Sequence, residues 1–271
     1  MLDFLDTPDR SAKPREEGIT HALDDGVGVD EVRDRLEVCE EFVDIVKLGW
    51  GTGYVADRLE EKIALYQRRD IPVYFGGTLF EVTIRQGRFD AMVEELSELG
   101  VEHVEVSTGV IDLEHEEKCG YVDRLSEEFT VLSEVGRKDA DEELTLEEWG
   151  GRAEREREAG AWKVIMEGRA GGDTGVYGDD GDVKAGLIEH TAERLGADSI
   201  VFEAPQTEQQ AWFVERFGPE VNLGNVRLDD VIPLETLRRG LRGDTVETFH
   251  PETGVDRTEA TTELAGIETD D

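Results

Sequence analysis

Cysteine is nearly absent from the chain: Cys39 and Cys119 are the only two in 271 residues, and neither belongs to a metal-binding or redox motif. No disulfide framework and no cysteine-ligated zinc site follow from them. Lysine is almost as scarce: seven of the 29 basic residues are lysine, leaving 29 − 7 = 22 arginines. No stretch approaches the roughly 18 consecutive apolar residues of a membrane span. The opening MLDFLDTPDRSAKPREEG has no apolar segment of the kind a signal peptide needs, so a cytoplasmic location is expected. Phosphate-cradling P-loop spacing is missing too, and the turn Asp24-Asp25-Gly26-Val27-Gly28 lacks the third glycine of a dinucleotide fingerprint. The five histidines are scattered, and no Ser–His–Asp arrangement can be built from them.

Acid is abundant. Sixty-six Asp and Glu against 29 Lys and Arg give 29 − 66 = −37. Such a chain repels nucleic-acid phosphates and anionic membranes, which excludes both as partners. The acidity is spread along the whole length. It looks like adaptation to a salt-rich cytoplasm, where concentrated cations screen the self-repulsion.

Short Val-, Ile- and Phe-rich runs alternate with longer amphipathic ones. The short runs predict strands at Ile19–Leu23, Val43–Leu48, Val73–Phe75, His103–Val106, Thr130–Ser133, Lys163–Met166, Ser199–Phe202 and Val221–Leu223. The longer runs predict helices at Asp30–Glu41, Val55–Arg69, Phe89–Leu99, His115–Glu127, Thr145–Ala159, Val183–Leu195, Glu208–Phe217 and Leu228–Leu241. Strict strand–helix alternation implies a parallel sheet, and eight units in this length match a (β/α)8 barrel better than an open doubly wound sheet. The expected organisation is a polar arm over residues 1–17, a barrel over 18–242 and an acidic, mostly disordered tail over 243–271.

Barrel chemistry gathers where strands end. Lys47, Gly76-Gly77, Glu105, Glu134, Glu167 and Glu203 fall at or beside predicted strand ends, about one β/α unit apart, so they should ring one mouth. Glu134, Glu167 and Glu203 would converge from three consecutive strands. Their mutual repulsion calls either for a hard divalent cation such as Mg²⁺ or for ion pairs with Lys47, Lys138 and Arg169. The glycine turns, Gly224-Asn225 opening the last helix among them, offer backbone N–H groups to an anion. Gly171–Gly178 is long and glycine-rich enough for a lid.

Several strings together carry a family resemblance: Lys47-Leu48-Gly49-Trp50-Gly51-Thr52, Gly76-Gly77-Thr78-Leu79-Phe80-Glu81, Glu105-Val106-Ser107-Thr108-Gly109, Ser133-Glu134-Val135-Gly136-Arg137-Lys138-Asp139, Phe202-Glu203-Ala204-Pro205 and Val221-Asn222-Leu223-Gly224-Asn225-Val226. In this order they resemble the phosphosulfolactate synthase family over roughly residues 13–242. The resemblance implies a (β/α)8 lyase that adds sulfite to phosphoenolpyruvate with Mg²⁺, giving (2R)-2-phospho-3-sulfolactate, the opening step of coenzyme M synthesis in methanogens. It also implies that the barrel associates with copies of itself. On that chemistry the metal falls to Glu134, Glu167 and Glu203. Acid or anion duty falls to Lys47 and Lys138, and phosphate binding to Gly76, Gly77, Arg169, Gly224 and Asn225. The same family includes plant heat-stress-associated proteins, so a non-catalytic relative is the alternative reading, beside another phosphoenolpyruvate or phosphosugar barrel lyase.

On the salt-adaptation reading, screening of self-repulsion should stabilise the fold. The midpoint of thermal unfolding, followed by circular dichroism, is expected to climb as KCl is raised to molar concentrations. A midpoint that stays flat or falls would remove the salt-adaptation reading.

Overall fold

Eight runs of apolar, mostly β-branched residues become eight parallel strands: β1 Thr20–Asp24, β2 Ile45–Leu48, β3 Val73–Phe75, β4 His103–Val106, β5 Thr130–Val135, β6 Lys163–Met166, β7 Ile200–Glu203 and β8 Leu223–Arg227. The computed structural model describes residues 4–136, 144–168, 175–178 and 181–252. Between the strands run helices α1 Val29–Cys39, α2 Thr52–Val55, α3 Leu59–Gln67, α4 Gly77–Arg85, α5 Phe89–Glu98, α6 His115–Ser126, α7 Leu146–Glu158, α8 Ala185–Leu195 and α9 Thr207–Phe217. Helices α10 Val231–Arg238 and α11 Val246–Phe249 follow β8. None of these is long and apolar enough to cross a membrane.

The ladder order is β3-β2-β1-β8-β7-β6-β5-β4. First and last strands are hydrogen-bonded neighbours, which wraps the sheet into a (β/α)8 barrel. β3 and β4 end the ladder, and a side chain spans their seam: the Gly77 N–H, just past β3, donates to Glu105 of β4 at 2.6 Å.

Strand pleating sends alternate residues inward. Ile45, Tyr74, Leu132, Ile165 and Val201 meet inside the barrel with Ile19. A far larger apolar layer packs between strands and helices. Two residues beyond those interior positions stand Lys47, Gly76, Glu134, Glu167 and Glu203. The same period that builds the inner core therefore aims polar side chains into the mouth.

Local signals account for α5 and α7. Thr145 and Glu148 form a reciprocal capping box at the start of α7, and Arg155 and Arg157 occupy its last turn, where positive charge suits the helix dipole. Phe89, Met92 and Leu96 form the buried stripe of α5. Several boundaries differ from the sequence expectation. Helix α4 forms where no helix is expected; Gly77-Thr78 and β-branched Val82 and Thr83 are poor helix formers, and burial of Phe80 and Glu81 overrides that weakness. The single helix expected over Val55–Arg69 is broken by Arg58 at φ 61°. And β8 does not stop at Leu223 but runs to Arg227.

The N-terminal arm is stitched across the barrel floor. Arg10 donates to Pro219 O and Gly18 O and pairs with Glu220 and Glu235. Lys13 donates to Val43 O at 2.6 Å, and Arg15 pairs with Asp44 at 2.9 Å. Beyond α10, the Thr245 hydroxyl donates to Leu237 O at 2.7 Å and helix α11 follows. The expected tail from residue 253 onward lies outside the described residues.

Asn222 pins the floor where β1, β7 and β8 converge. Its Oδ1 accepts from Ile19 N–H at 3.0 Å, and its Nδ2 donates to Asp198 O and Ile200 O, both at 2.9 Å. The bonds to Ile19 and Ile200 are buried and the one to Asp198 partly so, and alanine would strand the backbone groups they now satisfy. Asn222→Ala is expected to lower unfolding free energy by about 2–4 kcal/mol in urea titrations at molar KCl.

Candidate active site

At the C-terminal ends of the strands, a small cavity of about 40 Å³ is walled by Leu23, Lys47, Trp50, Gly76-Gly77-Thr78, Glu105, Glu134, Glu167, Glu203 and Asn225. Its centre is an ion cluster. The Lys47 ammonium lies 2.9 Å from Glu105, 3.2 Å from Glu203 and 3.6 Å from Glu134. All four glutamates are buried to within 2% of full enclosure, and Lys47 to 8%.

The electrostatics follow from that crowding. Burial disfavours charge and holds Glu105 and Glu203 above the usual carboxylate range, with Lys47 acting against the rise. Lys47 behaves oppositely. Burial alone would lower it, yet Glu105 and Glu203 overcome that and hold its proton well above the ordinary lysine range. Its ammonium is thus a fixed positive charge within the cluster.

Second contacts fix the carboxylates. Glu105 accepts the Gly77 N–H, and Glu203 accepts the Gly168 N–H at 3.0 Å. The Glu134 carbonyl accepts from Lys118 at 2.7 Å. Lys118 in turn pairs at 2.8 Å with buried Glu156, which also takes the Ser133 hydroxyl at 2.6 Å. Beneath the cluster, the Tyr74 hydroxyl and His21 Nε2 are 2.5 Å apart with their rings stacked. Burial first, then the Lys47 charge, pushes His21 well below its ordinary value, so its imidazole is neutral. Glu81 on α4 takes the Ser107 hydroxyl and the N–H groups of Gly109 and Val110, which sets the loop after β4.

The barrel brings together Lys47, Gly76, Gly77, Glu134, Glu167, Glu203 and Asn225 in this one cavity. Gly224 stands beside it within β8, where a bulge shifts the register: Thr20 pairs with Leu223, but Ala22 pairs with Val226. The bulge puts Asn225 at φ 54° and among the cavity residues. Gly224 needs its bareness, since a Cβ there would come within 2.6 Å of His21 Nδ1. Gly224-Asn225 is therefore strand and bulge, not the opening of the last helix. Lys138 and Arg169 lie outside the described residues, as does the first half of Gly171–Gly178. The described end of that loop closes on the site, with the Tyr177 hydroxyl donating to Glu203 O at 2.5 Å.

Glu105, expected at the mouth, joins the cluster as an ion partner of Lys47, and Glu81, Lys118 and Glu156 extend the set of site residues. Glu105 had a signal, since it lies two residues beyond inward-facing His103. Lys118 and Glu156 had none, because a polar residue on an amphipathic helix looks like solvent-facing surface.

Glu134, Glu167 and Glu203 can each offer a carboxylate oxygen within 4.8 Å of the others. Among the described residues the cavity wall carries four carboxylates and one ammonium, 1 − 4 = −3. A buried excess of this sign, built wholly of hard oxygen donors, fits a divalent cation such as Mg²⁺.

Residues 8–244 match a family model described as ComA, (2R)-phospho-3-sulfolactate synthase. A phosphosulfolactate synthase from Methanothermobacter thermautotrophicus is 42% identical over 251 residues, covering 90% of this chain and 97% of that one. One from Bacillus subtilis is 39% identical over 249 residues, covering 90% and 99%. Among solved structures, the carboxyl transferase domain of Rhizobium etli pyruvate carboxylase is similar at TM-score 0.53 and 12% identity, covering 82% of this chain and 44% of that one, a likeness of fold alone.

Removing the central cation tests the cluster. Lys47→Met leaves Glu105 and Glu203 without their ion-pair partner and is expected to cost about 3–5 kcal/mol near neutral pH. The loss has a defined pH sense. An acid whose folded-state value is raised takes up a proton on folding, so its penalty is absent below its ordinary value near 4.5 and grows as pH rises past it. The gap between variant and wild type should therefore narrow as pH falls toward 4.5 in urea unfolding; a gap independent of pH would show that the cluster is not what Lys47 stabilises.

Proposed function

The chain belongs to the (2R)-phospho-3-sulfolactate synthase family, and we propose that it adds sulfite to phosphoenolpyruvate in a Mg²⁺-dependent reaction giving (2R)-2-phospho-3-sulfolactate. The observation that carries this reading is the buried cluster of Glu134, Glu167 and Glu203 around Lys47 at the barrel mouth. Sulfite sulfur bonds to C3, the C2–C3 π pair moves toward the carboxylate as an enediolate, and C2 then takes a proton. Developing negative charge on the substrate carboxylate is the main demand on the site.

Glu134, Glu167 and Glu203 would hold the Mg²⁺, which when bound supplies positive charge where the enediolate forms. Lys47 serves as a permanently charged group that attracts and orients the anionic substrate. Its tightly held proton suits electrostatic duty better than donation, so the acid at C2 is assigned to Lys138. Phosphate is assigned to the start of α4 with Asn225 and Arg169. Within that first turn the Gly77 N–H is taken by Glu105 and the Leu79 N–H by Gly76 O. The Gly76 N–H is taken as well, by Leu48 O, so Thr78, which lines the cavity and whose N–H has no acceptor among the described residues, is the anion donor of that turn.

The direct test is phosphoenolpyruvate consumption in molar KCl, with and without sulfite and Mg²⁺, with the product identified by mass spectrometry. Phosphosulfolactate is expected only when both are present, and Glu167→Gln should lower kcat/KM at least about 100-fold. Consumption without sulfite dependence, or undiminished activity after metal chelation, would overturn the reading.

A further inference from the structure

One large aromatic at the mouth is neither packed away nor used by the ion cluster. Trp50 lies two residues beyond β2 and lines the same cavity as Lys47 and the four glutamates, yet 55% of it is exposed. Its backbone is left-handed, at φ 48° and ψ 36°, a conformation that β-carbon sterics make unfavourable for tryptophan. Such strain persists where the surroundings impose it and concentrates at ligand clamps. Gly51 beside it is also left-handed, at φ 68°, so the turn lifts the indole up at the rim instead of folding it onto the barrel. Among the described ring pairs no other aromatic meets it. Tyr54 and Val55, on the short helix that follows, are 81% and 79% exposed and carry the apolar rim onward.

The chemistry of the site gives such a group a task. C3 of phosphoenolpyruvate is open to any nucleophile that reaches it. If water oxygen bonds to C3 and loses a proton while C2 gains one, the product is 2-phosphoglycerate. That addition balances without oxidant or reductant and uses the same stabilised enediolate as sulfite addition. A site walled by carboxylates attracts water, and bulk water vastly outnumbers sulfite. An apolar cover excludes water and strengthens the electrostatics beneath it. It also does so without adding a negative charge that would repel two anionic substrates.

Resting on the function proposed above, we propose that Trp50 is a specificity-determining residue: it lies over bound phosphoenolpyruvate and reserves C3 for sulfite by keeping water out. The experiment follows wild type, Trp50→Phe and Trp50→Ala, each checked for native far-ultraviolet circular dichroism, in molar KCl with Mg²⁺. Phosphoenolpyruvate binding is measured by calorimetry, and tryptophan accessibility by acrylamide quenching with and without phosphoenolpyruvate. Products at fixed sulfite are measured by mass spectrometry. Phosphoenolpyruvate should protect one tryptophan in the wild type, and the protection should vanish in Trp50→Phe although binding persists. Trp50→Ala should raise the ratio of 2-phosphoglycerate to phosphosulfolactate at least tenfold, with Trp50→Phe in between. Calorimetric binding with unchanged quenching, or a wild-type product ratio in Trp50→Ala, would overturn this inference alone. Absence of any binding by folded wild-type protein would take down the phosphoenolpyruvate reading and this inference with it.

Discussion

A single ammonium set among carboxylates is the constraint on which the site depends. Lys47 touches Glu105, Glu134 and Glu203, which arrive on three different strands. Buried carboxylates repel one another and prefer to protonate; the lysine offsets both tendencies only in part. The residual negative charge makes the cluster a receptor for positive charge, which in turn suits it to anions that bind cations. A chain of net charge −37 thus encloses a lone cation among carboxylates at its mouth. Its basic residues are few, and one of them is spent at the centre of the mouth.

Around that centre the fold acts as a positioning device. The Ser133 hydroxyl and the Glu134 carbonyl engage Glu156 and Lys118 behind β5, so Glu134 is held from the helix side of its strand as well as from the cavity side. Glu203 is fixed through Gly168 and Tyr177, and the loop after β4 through Glu81. Interactions of this kind let carboxylates stay ordered while like charges push them apart.

Much of this was legible in the sequence, for a physical reason. Inner strand positions recur with period two, so a polar residue placed two beyond an apolar one, as Glu134 follows Leu132 and Glu203 follows Val201, announces the mouth. The (β/α)8 class followed from alternation alone, and the convergence of Glu134, Glu167 and Glu203 followed from the spacing of β/α units. Other features were hidden because they depend on contacts between distant segments. Helix α4 forms against its own weak propensity, since burying Phe80 and Glu81 outweighs it. The bulge at Gly224-Asn225 reads locally as a turn, and only the register against β1 reveals it as strand. Lys118 and Glu156 look like surface charges until α6 and α7 close over β5.

The seam between β3 and β4 has a mechanical meaning. Elsewhere the wall is stitched by backbone ladders, but these two strands end the ladder, and at the mouth Glu105 reaches across to the Gly77 amide with one oxygen while its other faces Lys47. The carboxylate is therefore both a part of the site and a latch on the barrel. A change in charge at the mouth that draws on Glu105 also loosens the hoop at that point. The β3–β4 side is where the barrel would breathe in step with occupancy of its own site, and amide hydrogen exchange there would record both events at once.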